Sequence, residues 1–237
     1  MSLVYNKILR ICFVTLYKII IIFVKKYFYK FYMNMDNIQF TSRINFVNEK
    51  TFDNFRKGIY VDFREPYKTE LFGKKIRTNI VKADEFYTDT VRTCTAGGII
   101  NHKTGDCTGF HIFDNYENSQ RTNDILEEIF KRVKNPDRAF ILGGKNLTVS
   151  EYSMPIFEKI CNGIKKRVAN VTIFKEHIFP YSETNMHYSA KEDTWTIQSM
   201  YRPLTDIKSF DILSKEDMVK CFKEIEIADG DVLSFGK

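Results

Sequence analysis

Hydrophobic and polar positions along this chain fall into two regimes. Over residues 36–85 they alternate weakly. NIQFTSRINFV and GIYVDF read as short strands, with Pro66 and Gly73 as breaks. From Thr88 the pattern sharpens. Val91–Ile100 reads as a strand, N-H-K-T-G (101–105) as a turn, and Cys107–Phe113 as a second strand, together a hairpin. Asn123–Lys134 reads as a helix: Ile125, Leu126, Ile129, Phe130 and Val133 share a face, Thr122 or Asn123 supplies the cap, and Asn135-Pro136 ends it. Arg138–Leu142 is a continuous apolar run, hence a buried strand, leading into Gly143-Gly144. Ser153 and Pro155 open a helix whose stripe is Phe157, Ile160, Cys161, Ile164 and Val168. Val171–Phe174 and Trp195–Met200 are further strands, with no assignment for the polar stretch Ser182–Asp193. A short helix near Ser214–Phe222 precedes an acidic end. Strands alternating with two amphipathic helices predict an α/β domain.

Length and composition leave that picture in place. At 237 residues the chain has room for one domain with additions, and 43% hydrophobic residues suffice for a sizeable core. The net charge of +6 suggests nucleic acid until its distribution is read. Residues 1–34 hold Lys7, Arg10, Lys18, Lys25, Lys26 and Lys30 and no acid, so 35–237 are balanced, with 30 basic and 30 acidic residues. No nucleic-acid partner is expected for a neutral domain. The cysteines (Cys12, Cys94, Cys107, Cys161, Cys221) are odd in number and scattered, which predicts free thiols in a reducing compartment.

The first 34 residues are apolar, aromatic and basic. Ile11–Tyr17 and Ile19–Val24 are separated by Lys18 and together span 14 residues, below the ~20 needed to cross a bilayer. On a helix, Lys7, Arg10, Lys18 and Lys25 fall near one face, as in an interfacial membrane-associating helix. Met33 and Met35 are alternative starts, so a leader irrelevant to the fold is an equal reading.

The stretch TCTAGGIINHKTGDCTGFHIFD (93–114) concentrates the chemistry: two of the five cysteines, two of the four histidines and four of the eleven glycines. If 101–104 is the loop and Gly105 takes a positive φ, residue 100 faces 105 and Cys94 faces His111. Opposed residues share a face with Cβ atoms ~4.5–5.5 Å apart. An imidazole there favours a thiolate–imidazolium pair and can later protonate a leaving amine. Phe110 and Ile112 then face the core, while Gly97, Gly98 and Gly109 leave space for substrate and oxyanion donors.

Cys94, His102, Cys107 and His111 are also zinc-type ligands. In that register, though, Cys107 lies four residues from His111, roughly 13 Å along the strand, and His102 sits at the far tip, so no regular hairpin gathers all four. The plainest alternative is that these cysteines only pack in the core.

This hairpin resembles the CheD-type protein glutamine deamidases, whose active-site cysteine is followed seventeen residues later by a histidine on the next strand, as Cys94 is by His111. The family also carries a threonine six residues before the cysteine, the place of Thr88. FILGG (140–144) is similar to its KIFGG-like strand end. The resemblance covers about 85–200. Where the family carries Gly-Ser before the cysteine, this chain has Arg92-Thr93. Bacterial toxins such as the cytotoxic necrotizing factors share that cysteine-hydrolase fold.

The resemblance implies an α/β fold of layered sheets flanked by helices. It divides the chain into a leader (1–34), an N-terminal extension packed on the core (35–84), the deamidase core (85–200) and a C-terminal extension (201–237). It implies a catalytic Cys94, His111 and Thr88, no metal or organic cofactor, and a protein substrate presenting an exposed glutamine. The setting would be cytoplasmic or membrane-associated, with delivery into a host cytosol as the effector variant. Competing readings are an inactive binding module of the same fold, or an effector-type transglutaminase or cysteine protease. His102, His177 and His187 are expected at the surface or in turns, and Cys107, Cys161 and Cys221 in packing.

Overall fold

A computed structural model describes residues 42–62, 70–71, 74–75, 78–144, 150–176, 181–202 and 208–236. The basic leader, His177 and part of NIQFTSRINFV lie outside the described residues.

The strands, in chain order, are β1 (Arg43–Phe46), β2 (Ile59–Tyr60), β3 (Glu70–Leu71), β4 (Lys74–Lys75), β5 (Thr78–Lys82), β6 (Glu85–Val91), β7 (Thr95–Asn101), β8 (Asp106–Ile112), β9 (Arg138–Gly143), β10 (Asn170–Glu176), β11 (Tyr181–Ser189), β12 (Thr194–Arg202), β13 (Phe210–Asp211), β14 (Phe222–Glu226) and β15 (Val232–Phe235). The helices are α1 (Glu49–Phe52), α2 (Tyr116–Gln120), α3 (Thr122–Arg132), α4 (Ser153–Lys165) and α5 (Lys215–Cys221). One sheet has the order β15-β1-β12-β11-β6-β2, with β13 beside β12. A second has the order β14-β10-β9-β7-β8-β5, and β3-β4 is a separate hairpin.

Strand alternation assigns the layers. Phe86, Met186, Tyr188, Trp195 and Ile197 of the first sheet meet Ala96, Ile100, Phe140 and Phe174 of the second in one buried core. The second sheet turns Ile99, Phe110, Ile112, Ile141 and Ile173 the other way, onto Ile125 and Ile129 of α3 and Ile156, Ile160 and Ile164 of α4. The molecule is therefore an α/β stack of two sheets with helices against the outer face of one. Trp195 centres the inter-sheet layer, stacked on Phe140 at 4.8 Å and tilted on Tyr188 at 4.3 Å.

Several boundaries differ from the sequence expectation, each for a physical reason. The expected strand 91–100 is two strands in different sheets: β6 ends at Val91, residues 92–94 cross over, and β7 begins at Thr95. The crossover is held by polar groups. Arg92 donates from Nε and Nη2 to Glu183 Oε2 (3.0 and 2.8 Å), and Thr93 donates to Asp114 at 2.7 Å.

The α3 segment is not capped by Thr122 or Asn123. Asn115 caps α2 instead, and the Thr122 hydroxyl bonds the Asn118 and Ser119 carbonyls, so the chain enters α3 through Arg121. Ser153 is the first residue of α4 rather than its cap. The polar 182–193 stretch is mostly β11, whose inward positions include Met186 and Tyr188. Ser214 caps α5, accepting from the Asp217 N–H.

Candidate active site

The β7–β8 register pairs Ala96 with His111 and Asn101 with Asp106. The loop is therefore 102–105, with Gly105 at φ 73°, and the pairing lies two residues away from the expected one that set Cys94 opposite His111. The shift is even, so the face is kept. His111 and Ala96 turn toward the inter-sheet core, and Cys94 joins the same cluster from the crossover. A regular extension of β7 would leave Cys94 diagonal to His111, about 7–8 Å apart in the backbone, rather than directly across.

Across the core stands Thr88 on β6. Its Oγ1 lies 2.6 Å from His111 Nδ1 and donates to the Val61 carbonyl at 2.8 Å. A hydroxyl has one hydrogen. With that hydrogen on Val61, Thr88 accepts from Nδ1–H. This fixes the imidazole tautomer and leaves Nε2 as the basic nitrogen.

A bulge aims the threonine. Thr88 pairs with Met186 and Val91 with Thr184, so Asp89 and Thr90 oppose Asn185 alone. Thr90 takes φ 57°, and its N–H is caught by Asn185 Oδ1 at 2.9 Å. The extra residue lets Thr88 and Val91 both face inward.

All three residues are enclosed: Cys94 is 2% exposed, and His111 and Thr88 are 0% exposed. Burial pushes the Cys94 thiol well above its ordinary pKa. The charges of Asp114 and Glu176 add to this, while N–H groups of Asp114 and Arg92 favour the thiolate. Cys94 thus rests as a neutral thiol, not as half of the expected thiolate–imidazolium pair. Asp114 also ties the surroundings together, accepting from Thr93 and from Ser150 just before α4.

The glycines do not open space as expected. A Cβ on Gly109 would lie 2.5 Å from the Phe86 ring, and one on Gly98 2.8 Å from Trp195. One on Gly97 would strike the Phe140 carbonyl. These positions are filled by neighbours. The FILGG end has a different use: Gly143, at φ 136°, passes against the Cys94 carbonyl where any Cβ would collide.

Of the other histidines, His102 sits in the hairpin turn as expected but is held between Asp137 (2.6 Å) and Asp193 (3.1 Å). Its pKa rises to about 9; burial opposes the shift, and the two carboxylates prevail. His187 is buried rather than exposed, against the Phe55 ring and 3.1 Å from Glu85. Cys107, Cys161 and Cys221 are buried. Among the described residues, no group of three or more His, Cys, Asp or Glu side chains is arranged to hold a metal ion, and no helix is long and apolar enough to cross a membrane. Sequence reasoning passed over Asp114 and Glu176. The second left a trace: Thr172, Phe174 and Glu176 alternate on one face of β10, so an acid sits at an inward position.

No protein-family model matches the chain, and no curated protein matches it significantly. Among solved structures, the C-terminal domain of CNFy from Yersinia pseudotuberculosis is a weak structural neighbour, with a TM-score of 0.33 and 11% identity. The match covers 57% of this chain and 56% of that one, just over half its length. A likeness so distant carries no weight for chemistry.

Proposed function

We propose that this chain is a protein glutamine deamidase of the CheD and necrotizing-factor kind, working in a reducing compartment on an exposed glutamine of a partner protein. The observation that supports this reading is the buried Thr88–His111 hydrogen bond, which fixes a basic Nε2 on the inter-sheet face that also carries Cys94. In this reading the Cys94 sulfur attacks the carboxamide carbon as His111 Nε2 takes the thiol proton. The C–N bond then breaks, and His111 returns the proton to the departing ammonia. Water, deprotonated by His111, attacks the thioester. The C–S bond breaks, the proton goes back to sulfur, and glutamate is released. The N–H groups of Arg92 and Asp114, which already favour negative charge at the sulfur, would hold the oxyanion. Thr88 is the positioning residue. Nucleic acid has no part in this reading, and residues 1–34 would supply any membrane association.

A second reading is favoured by the enclosure and neutrality of Cys94: a dormant module of the same fold that binds a partner without turnover. The test incubates the full chain with bacterial and with mammalian cell extracts and maps glutamine-to-glutamate conversion by peptide mass spectrometry. Conversion lost in Cys94→Ser and in His111→Ala is the expected result. Partner binding that survives Cys94→Ser, with no conversion by wild type, would favour the module. Amine-sized additions or chain cleavage would point to a transglutaminase or a protease.

A further inference from the structure

The hydrogen that orients His111 depends on a carbonyl from the N-terminal extension. Thr88 gives its one hydrogen to the Val61 carbonyl and therefore accepts from His111 Nδ1. Val61 directly follows β2, a strand of two residues that pairs in parallel with Phe86 and Tyr87 of β6. Strands usually run to about five or six residues, so a pairing this short has little hold of its own. The Val61 N–H adds one backbone bond, to the Tyr87 carbonyl at 2.9 Å.

Side chains supply the rest. Asp89, the residue after Thr88, lies in the bulge of β6 and catches the chain before Val61 at two points. Its Oδ2 accepts from Arg56 Nη1 at 2.7 Å, and its Oδ1 accepts from the Tyr60 hydroxyl at 2.5 Å. The Tyr60 ring also stacks on Tyr87 at 4.9 Å. Gly58, at φ 80°, passes against the Glu85 carbonyl where a Cβ would collide. The Asp89 side chain is 15% exposed and that of Arg56 38%, so the ion pair stabilises little by itself. Its effect is on position. Thr88 and Asp89 are joined by one peptide unit: the first gives its proton to the Val61 carbonyl, and the second holds the segment that brings this carbonyl within reach.

We propose that Asp89 is a positioning residue of the site, acting through Tyr60 and Arg56 on the Val61 carbonyl and so on the tautomer of His111. With the carbonyl in place, the Thr88 hydrogen points away from the imidazole and Nδ1 keeps its own. With the carbonyl withdrawn, the Thr88 hydrogen turns to Nδ1, the imidazole hydrogen moves to Nε2, and the lone pair that would take the Cys94 proton is lost. Residues 56–61 thus serve the site rather than merely cover the core. The consequence for turnover rests on the deamidase reading; the tautomer is a property of the resting protein.

The experiment records the imidazole nitrogen-15 shifts of the full chain labelled at histidine, at about pH 8, above the ordinary imidazole pKa. His111→Ala assigns the His111 signals. Wild type should show the hydrogen on Nδ1. Asp89→Ala, and Tyr60→Phe as the gentler change, should raise the Nε2–H form relative to the Nδ1–H form about tenfold, the weight of one ordinary hydrogen bond. Alkylation of Cys94 by iodoacetamide should slow with it. Arg56→Lys, which keeps a cation on Asp89, should retain the wild-type tautomer. A merely structural role would lower the unfolding midpoint and leave the tautomer in place. A hydrogen on Nε2 in wild type overturns the proposal whether or not the variants fold. The wild-type tautomer retained in Tyr60→Phe and Asp89→Ala overturns it too, as does a shifted tautomer with an unchanged alkylation rate. The deamidase reading survives the second of these results, and fails separately if no glutamine is converted.

Discussion

The β7–β8 hairpin carries a histidine near each end, and the two are held in opposite ways. At the turn, His102 joins the sheets through two carboxylates, Asp137 and Asp193, and Asp193 also takes the Ser42 and Tyr188 hydroxyls. Near the crossover, His111 joins the sheets through one hydroxyl, Thr88, whose own proton is committed to a backbone carbonyl. Carboxylates fix a charge; a hydroxyl fixes a tautomer. The first arrangement holds a cation as a clamp, while the second orients an imidazole with its Nδ1 hydrogen on Thr88. Beside the clamp a second buried pair, Arg138 with Asp231, reinforces the charged end. At the crossover burial, with the charges of Asp114 and Glu176 adding to it, raises the pKa of a thiol instead.

The most severe way to break this contrast is to remove the clamp. His102→Ala leaves Asp137 and Asp193 facing each other and should cost about 3–5 kcal/mol in urea unfolding. The alkylation behaviour of Cys94, about 25 Å away along the hairpin, should not change while the protein is folded.

A gentler break uses pH. The folded pKa of His102, about 9, lies above the unfolded value near 6.5. Its contribution is therefore complete below pH 6.5 and is lost as pH rises through 9, on the order of 3 kcal/mol in all. Asp193 has its pKa lowered: burial pushes it up, and the bond to His102 leads the groups that outweigh this. Its contribution is present above the ordinary carboxylate pKa and fades as pH falls through the lowered one. Stability should peak between about pH 4 and 6.5, and Asp137→Asn should flatten the alkaline limb. A limb unchanged in that variant would remove His102 as its cause.

Gly109→Ala tests the packing between the two ends. The new Cβ meets the Phe86 ring, and a loss of about 1–3 kcal/mol is expected by thermal unfolding. Thr88→Val should have the smallest effect on stability, about 1–2 kcal/mol, since it strands the imidazole N–H. It should also slow the proposed deamidation and the alkylation of Cys94 together, with Thr88→Ser restoring both. Unaltered rates in Thr88→Val would reduce the threonine to packing.

Periodicity made much of this legible. The stripe from Ile125 to Ile129 is a helix face, though Val133 is extended past the helix end; Arg138–Leu142 is a buried strand, and Gly105 closes the hairpin at positive φ. The β11 strand was not legible, because Thr184 and Asn185 are buried against polar partners, Glu176 and, on β12, Ser199 and Gln198. Polarity there records hydrogen bonding within the fold, not exposure to water. The register slip had a similar origin. Turn residues allow several loop lengths, and the choice fell to Asn101, whose side chain bonds the N–H groups of Lys103 and Thr104, and to the Asp137 clamp on His102.

The sequence by itself determined the two long helices, the strand before Gly143-Gly144, the neutrality of 35–237, and the hairpin that carries His111 with Cys94 close before it, because these depend on local periodicity, charge and turn chemistry. Only the tertiary structure decided that Cys94 lies at a crossover between two sheets, that Gly97, Gly98 and Gly109 are filled rather than open, and that Thr88 reaches His111. It alone brought Glu176, 82 residues along the chain, near enough for its charge to act on the Cys94 thiol. Strand order and inter-sheet facing join positions far apart in sequence, and no local pattern encodes which inward residue will meet which.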